Sequence, residues 1–146
     1  MRMFWVVAMF VAVSCSASEL KISPVEVVEK FCGLDFKGAR LSSEGYEEIS
    51  NFVFSIDGEP GWDTIFVTNS YKVVSEQKKD NQSFVTIEYS IWGEASGVGV
   101  LAKGSTSNYQ FELRKDAYGV WRIENIPPYP RVSKNKVAEI TGHSFK

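Results

Sequence analysis

Four segments in the second half of the chain alternate apolar and polar residues with a period of two. They are residues 65–74, 84–92, 109–113 and 120–126. This period puts successive side chains on opposite faces, so each segment is predicted to be a strand with one buried face. Polar turns at 78–81 and 116–119 join the first pair and the last pair. Joins this short make neighbouring strands antiparallel, which predicts one antiparallel sheet of four strands.

The join between the second and third strands is longer and rich in glycine. It covers residues 93–104 and is interpreted either as a mobile loop or as bulged strand ends at one rim of the sheet. The proline-rich segment 126–130 cannot continue the sheet. Ser133 is then predicted to cap a short final helix that runs through Ile140.

The part of the chain that precedes these strands carries helical signals instead. Residues 23–26 are a helix start, in which a serine caps, a proline takes the first position and a glutamate completes a capping box. Gly33 is expected to end or loosen this helix, a turn and a second short helix are predicted over 34–41, and a third helix is predicted to begin at 42–44 and to reach residue 53. We therefore expect an α+β fold in which a curved, four-stranded antiparallel sheet wraps the N-terminal helices as a cone-shaped roll.

The N-terminal residues 1–18 have the layout of a secretory signal peptide, with Arg2, an apolar run and then small residues. The run is shorter than the roughly 20 residues of a membrane span. Residues 12–15 resemble a lipobox ending at Cys15, whose lipidation would attach the protein to a membrane. Ordinary cleavage after residue 17 or 18 and an uncleaved anchor are the alternatives. We expect one domain over 23–140, exported to the periplasm or outer cell-envelope membrane or secreted.

Composition excludes several classes of function. The formal net charge is −2 and no stripe of lysine or arginine is present, so no nucleic-acid partner is expected. His143 is the only histidine, which argues against a His–His metal site and most histidine-dependent triads, and neither a metal nor a cofactor is expected. Cys32 lies on the apolar side of the first helix and is predicted to be a buried small hydrophobe, with a reactive thiol as the alternative.

Several structural segments together carry a family resemblance. They are residues 24–31, 35–39, 41–42, 109–113 and 119–123. Through them the chain resembles the nuclear-transport-factor-2-like (cystatin-like α+β roll) superfamily, in particular its small exported bacterial members of unknown function. The resemblance implies a cone whose open end is a ligand pocket or a partner surface, and many members dimerise through the outer sheet face. No catalytic motif of the superfamily is recognisable here.

Aromatic residues are the predicted lining of such a pocket. They are Phe31, Tyr46, Trp62, Tyr89 and Tyr109. Acid–base chemistry without histidine would need a carboxylate and a phenol, and the candidates are Asp63 and Tyr46. The more economical interpretation of Asp63 is a residue of a loop or strand start.

Phe84 and Trp92 have the opposite parity to the apolar residues of their strand, which predicts a partly apolar outer sheet face. Such a face is typical of a protein partner or of a homodimer through the sheet. A bulge near Gly93 that rotates Trp92 inward is the alternative. The function expected is an exported, non-enzymatic domain that binds a small apolar ligand or a protein partner. The alternatives are a cofactor-free isomerase, dehydratase or hydrolase, and an immunity-type or envelope-assembly protein that binds through its sheet.

Overall fold

The computed structural model describes residues 21–58 and 60–146 as an α+β fold with a strongly curled, mixed sheet. The helices are α1 (Pro24–Phe36), α2 (Ser43–Ser50) and α3 (Lys134–Thr141), with a 3-10 turn at Ala39–Leu41. The strands are β1 (Thr64–Lys79), β2 (Gln82–Ser96), β3 (Gly99–Lys115), β4 (Trp121–Ile123) and β5 (Arg131–Ser133). The proposed signal peptide, with Cys15, lies outside the described residues.

The sheet has five strands in the order β4-β3-β2-β1-β5, so the predicted count of four is wrong. Strands β1 to β4 pair antiparallel, as predicted. The fifth strand, β5, pairs in parallel with residues Phe66 to Thr68 of β1. The prediction ended the sheet at the proline-rich segment. That segment instead leads the chain back along the free edge of β1, where three residues suffice to form the pairing.

The predicted loop over 93–104 is mostly paired strand. β2 and β3 continue to a turn at 97–98, and Gly93 lies opposite Ala102 in their ladder. A Cβ atom on Gly93 would lie 2.0 Å from the carbonyl oxygen of Leu101, so only glycine fits this close approach. A register shift between Ile91 and Gly93 makes Trp92 the extra residue of a bulge. Of the two interpretations, bulged strand ends is therefore the correct one.

The start of α1 is confirmed, whereas its predicted end is wrong. The Ser23 hydroxyl accepts from the Glu26 amide at 3.2 Å, and the Glu26 carboxylate accepts from the Ser23 amide at 2.7 Å. The helix continues through Gly33, because a glycine inside a helix costs only about 1 kcal/mol. The reversal comes at Gly38, whose φ of +86° is left-handed backbone that suits glycine.

Both faces of the sheet carry apolar clusters. The inner face, defined here as the face packed against α1, buries Phe31 against Tyr89 and Phe111. Phe66 packs against this cluster, whereas its neighbour Val67 belongs to the other one, as expected for adjacent residues of a strand. Buried residues of β5 and α3 pack in the second cluster, on the other face of the sheet. Helices therefore cover the sheet from both sides near β1 and β5.

Candidate functional site

A fully buried ion pair joins the end of α1 to the proline-rich segment. Arg40 donates from Nε to Asp35 Oδ1 at 2.9 Å and from Nη2 to Asp35 Oδ2 at 2.8 Å. Its remaining bonds reach the carbonyl oxygens of Pro127 at 2.7 Å and Tyr129 at 2.9 Å. The left-handed turn at Gly38 brings Arg40 back over the last turn of α1, five residues after its partner. The two charges neutralise each other and tie three segments together.

A second buried guanidinium, that of Arg131, lies on the inner face and forms no ion pair with a carboxylate of the described residues. It lies over the rings of Tyr89, Phe66 and Tyr109, at 4.8, 5.4 and 5.7 Å from the ring centroids. We call these three rings the Arg131 cage. The parallel register of β5 places Arg131 beside Phe66, so that both side chains share one face. The residue is 6% exposed.

The hydrogen bonds of Arg131 leave part of its guanidinium unpartnered. Nη1 donates to the Tyr129 carbonyl oxygen at 2.8 Å, and the backbone amide donates to Asp35 Oδ2 at 3.1 Å. Nε is buried and has no acceptor. Within residues 21–58 and 60–146 no carboxylate forms an ion pair with this side chain. Burial lowers the pKa of Arg131, and the neighbouring Tyr89 and Asp35 partly offset that shift.

The buried charges of the described residues do not cancel. One carboxylate, that of Asp35, is buried with two guanidinium groups, those of Arg40 and Arg131, which leaves a net charge of +1. A buried cation that has no counter-charge among the described residues, and whose Nε has no acceptor there, is costly. The Arg131 cage relieves part of this cost through cation–π attraction. The site therefore has the electrostatic character of an anion receptor with apolar walls.

The inner face opens beyond Tyr109. Along β3 the inner-face positions are Tyr109, Ser107 and Ser105, which pair with buried residues of β2. Tyr109 and Ser107 are half-buried, whereas Ser105 is exposed. The lining thus changes from apolar to polar over four residues, and this end of the inner face is where a ligand could enter.

Four of the five predicted pocket residues surround the two buried arginines. Phe31 and Trp62 lie beside Arg40, at 5.7 and 5.5 Å from its guanidinium carbon. Tyr89 and Tyr109 belong to the Arg131 cage. Phe31 and Tyr89 are fully buried, so they support the site rather than line an open cavity.

Trp62 also reaches the surface of the domain. It lines a cavity of about 300 Å³ formed with residues of the 55–57 and 124–128 segments. Its indole Nε1 is buried without a partner, and its ring meets the edge of Tyr129 at 6.4 Å. Tyr129 therefore contacts both Trp62 of this cavity and the cage ring Phe66, whose centroid lies 5.5 Å from its own.

The acid–base candidates do not form a catalytic pair. The Tyr46 hydroxyl donates to the Asp57 carbonyl oxygen at 3.0 Å, and Asp63 is exposed just before β1. Among the described residues no hydrogen bond joins Tyr46 to Asp63. The pKa of Glu26 is lowered by its hydrogen bonds with Ser23. A general acid near neutral pH needs the opposite shift.

Cys32 is buried, as predicted, and its sulfur lies 3.2 Å from the Tyr89 hydroxyl. Burial raises the pKa of the thiol to about 12, and burial also raises the pKa of Tyr89. A thiol in this state is a poor nucleophile near neutral pH. Cys32 therefore contacts the Arg131 cage through Tyr89.

Phe84 and Trp92, the predicted partner surface, lie eight residues apart along β2. The outer-face positions between them carry polar side chains, namely Thr86, Glu88 and Ser90. Trp92 packs edge-on against Phe145, 4.8 Å away, in the segment after α3. The two residues therefore do not share one continuous apolar patch.

Arg131, Arg40, Asp35 and Phe66 were not among the predicted site residues. Asp35 lies four residues after Phe31 on the buried stripe of α1, and a charged residue on an apolar stripe is a readable signal. Arg131 follows a proline-rich segment and precedes a helix, a context that gives no comparable sign.

The described residues contain no cluster of histidine, cysteine, aspartate or glutamate that could hold a metal ion. Within the same part of the chain no helix combines the length and the apolar character that crossing a membrane requires. Comparisons of this chain with protein-family models, with curated proteins and with solved structures give no match.

Proposed function

We propose that this domain is an exported, non-enzymatic binding module that holds a small ligand with an apolar body at the open end of its inner face. The observation that carries the proposal is the Arg131 cage, located where the inner face changes from buried at Tyr89 to exposed at Ser105. Aromatic walls with a few convergent polar groups are typical of small-molecule sites. The curled sheet packed against α1 is also compatible with a cone-shaped roll of the nuclear-transport-factor-2-like type.

The arrangement favours binding over catalysis. The Tyr46 hydroxyl is bonded to the Asp57 carbonyl oxygen and Asp63 is exposed. The described carboxyl groups with a displaced pKa, Glu26 and Asp116, both have it lowered. The polar outer face of β2 also weighs against a protein partner or homodimer that docks on Phe84 and Trp92 together. A small ligand on the inner face requires neither an acid–base pair nor an apolar outer face of β2.

A neutral fluorescent probe, N-phenyl-1-naphthylamine, tests this proposal. We expect its emission to rise on binding to the wild-type domain, and Tyr109→Ala to weaken that binding at least about fivefold through loss of aromatic contact. Tyr118→Ala is the matched control, because Tyr118 is 90% exposed in the turn between β3 and β4. Equal binding by the two variants, or no binding by the wild type, would contradict the proposal. Circular dichroism of each variant checks that the fold is retained.

Export and membrane attachment are part of the same proposal and rest on residues 1–18 alone. Mass spectrometry of the protein isolated from the cells that produce it would test both. A lipidated N-terminal Cys15 supports attachment, whereas an unmodified start at Ser18 or Glu19 supports export without a lipid. A retained, complete N-terminus would contradict cleavage of a signal peptide.

A further inference from the structure

The ionic partners of Asp35 leave Arg131 without a counter-charge. Asp35 Oδ1 accepts from Arg40 Nε, and Oδ2 accepts from Arg40 Nη2 and from the backbone amide of Arg131. Both carboxylate oxygens are therefore engaged by Arg40, and among the described residues neither forms an ion pair with the guanidinium of Arg131. The guanidinium of Arg131 has to find its negative partner elsewhere, or remain as the net +1 charge of the buried residues.

The geometry of the guanidinium indicates which edge is available. Nη1 is engaged by the Tyr129 carbonyl oxygen, while neither Nε nor Nη2 donates to any described residue. The Nε–Nη2 edge is a planar pair of donors that matches the two oxygens of a carboxylate. One negative charge would bring the buried total to zero, whereas a dianionic phosphate would overcompensate.

We infer that the ligand of this site is a monocarboxylic acid with an aromatic or other apolar body, whose carboxylate pairs with the Nε–Nη2 edge of Arg131. This inference rests on the proposed function, since it assumes that a small ligand enters the inner face. The rings of Phe66, Tyr89 and Tyr109 would pack against the apolar body next to the ion pair. Tyr109, half-buried at the open end, is the ring that moves to admit the ligand.

The test compares acids with their neutral amides. The probes are benzoate, 2-naphthoate and 4-phenylbenzoate, each paired with its primary amide and titrated into the wild-type domain by calorimetry. The amide has nearly the same shape but lacks the charge. We expect at least one acid to bind at least about tenfold more tightly than its amide, because a charge-assisted bond to a buried guanidinium distinguishes the two.

Variants of Arg131 show whether the tighter binding of the acid depends on this guanidinium. Arg131→Met is expected to lower the affinity for the acid to that for the amide, while the affinity for the amide stays within about twofold. Arg131→Lys keeps the charge but loses the planar edge, so an intermediate preference for the acid is expected. Lys79→Met, which removes an exposed charge at the end of β1, is the matched control and is expected to bind like the wild type.

The outcomes separate this inference from the proposed function. If acids and amides bind the wild type equally, the apolar site stands and the carboxylate inference is wrong. If an acid preference persists in Arg131→Met, the anion is held elsewhere and the inference is equally wrong. If none of these compounds binds although N-phenyl-1-naphthylamine does, the inference alone fails; if that probe does not bind either, the proposed function fails with it. Should Arg131→Met not fold, the wild-type comparison and Arg131→Lys decide the question without it.

Discussion

Removing the charge of Asp35 is the most direct test of the buried ionic network. Asp35→Asn keeps the size of the side chain and an oxygen for the backbone amide of Arg131, but leaves Arg40 and Arg131 as two uncompensated buried cations. Breaking a buried pair by removing one partner costs about 3–5 kcal/mol. For an m value of about 2 kcal/mol/M, the urea midpoint would fall by about 2 M.

Urea unfolding followed by tryptophan fluorescence measures this loss. Asp63→Asn is the matched control, because Asp63 is exposed and its neutralisation is expected to change the free energy of unfolding by less than about 0.5 kcal/mol. In the double variant Asp35→Asn/Arg40→Met, the loss should be smaller than the sum of the two single losses, since both charges of the pair disappear. A loss below about 1 kcal/mol for Asp35→Asn, or strict additivity, would show that water reaches the pair and refute the reasoning.

Two further predictions concern the sheet and the buried thiol. In urea titrations Gly93→Ala should lower the free energy of unfolding by several times more than Gly97→Ala. The new methyl group at position 93 would meet the Leu101 carbonyl, whereas at position 97 it meets nothing within 4 Å. Equal losses would contradict the close approach at Gly93. The pKa of Cys32 is about 12 in the folded state and about 9 or lower in the unfolded state. The contribution of the neutral thiol to the free energy of unfolding is therefore complete below pH about 9 and is lost as the pH rises toward 12. Cys32→Ala should make the free energy of unfolding fall less steeply over this pH range. Tyr89, whose pKa is also raised by burial, contributes a decline in the same direction. An unchanged dependence on pH would contradict the assignment of the decline to Cys32.

The alternation of residues predicted the antiparallel part of the sheet because one face of each strand is buried. It failed at the end of β1, where Lys78 and Lys79 are still paired but are exposed on both faces of the strand. It also failed at β5, whose three residues are too few to show a period. Gly33 misled for a different reason, since α1 ends at Phe36, just before the left-handed backbone of Gly38.

The candidate site was predictable in part. The aromatic residues could be placed on the inner face, because apolar parity along β2 and β3 marks the buried positions, and Tyr89 and Tyr109 lie there. Their common centre was not predictable: Arg131 joins them only through the parallel pairing of β5 with β1. A pairing between segments so far apart in the chain depends on the tertiary path and leaves no local pattern. Asp35 is the one charged residue of the site that helical spacing alone could have revealed.

The ionic network has a consequence for the order in which the protein assembles. Arg40 and Asp35 are five positions apart and can meet as soon as α1 turns at its end, but their other bonds reach residues 87, 89 and 96 positions away. We expect so long a loop to close late in folding, and its closure removes the charges from water. Until residues 127–131 dock, we expect water to reach the charged groups at the centre of the domain. Substitutions that weaken the contacts of this segment should therefore speed unfolding while leaving the folding rate nearly unchanged.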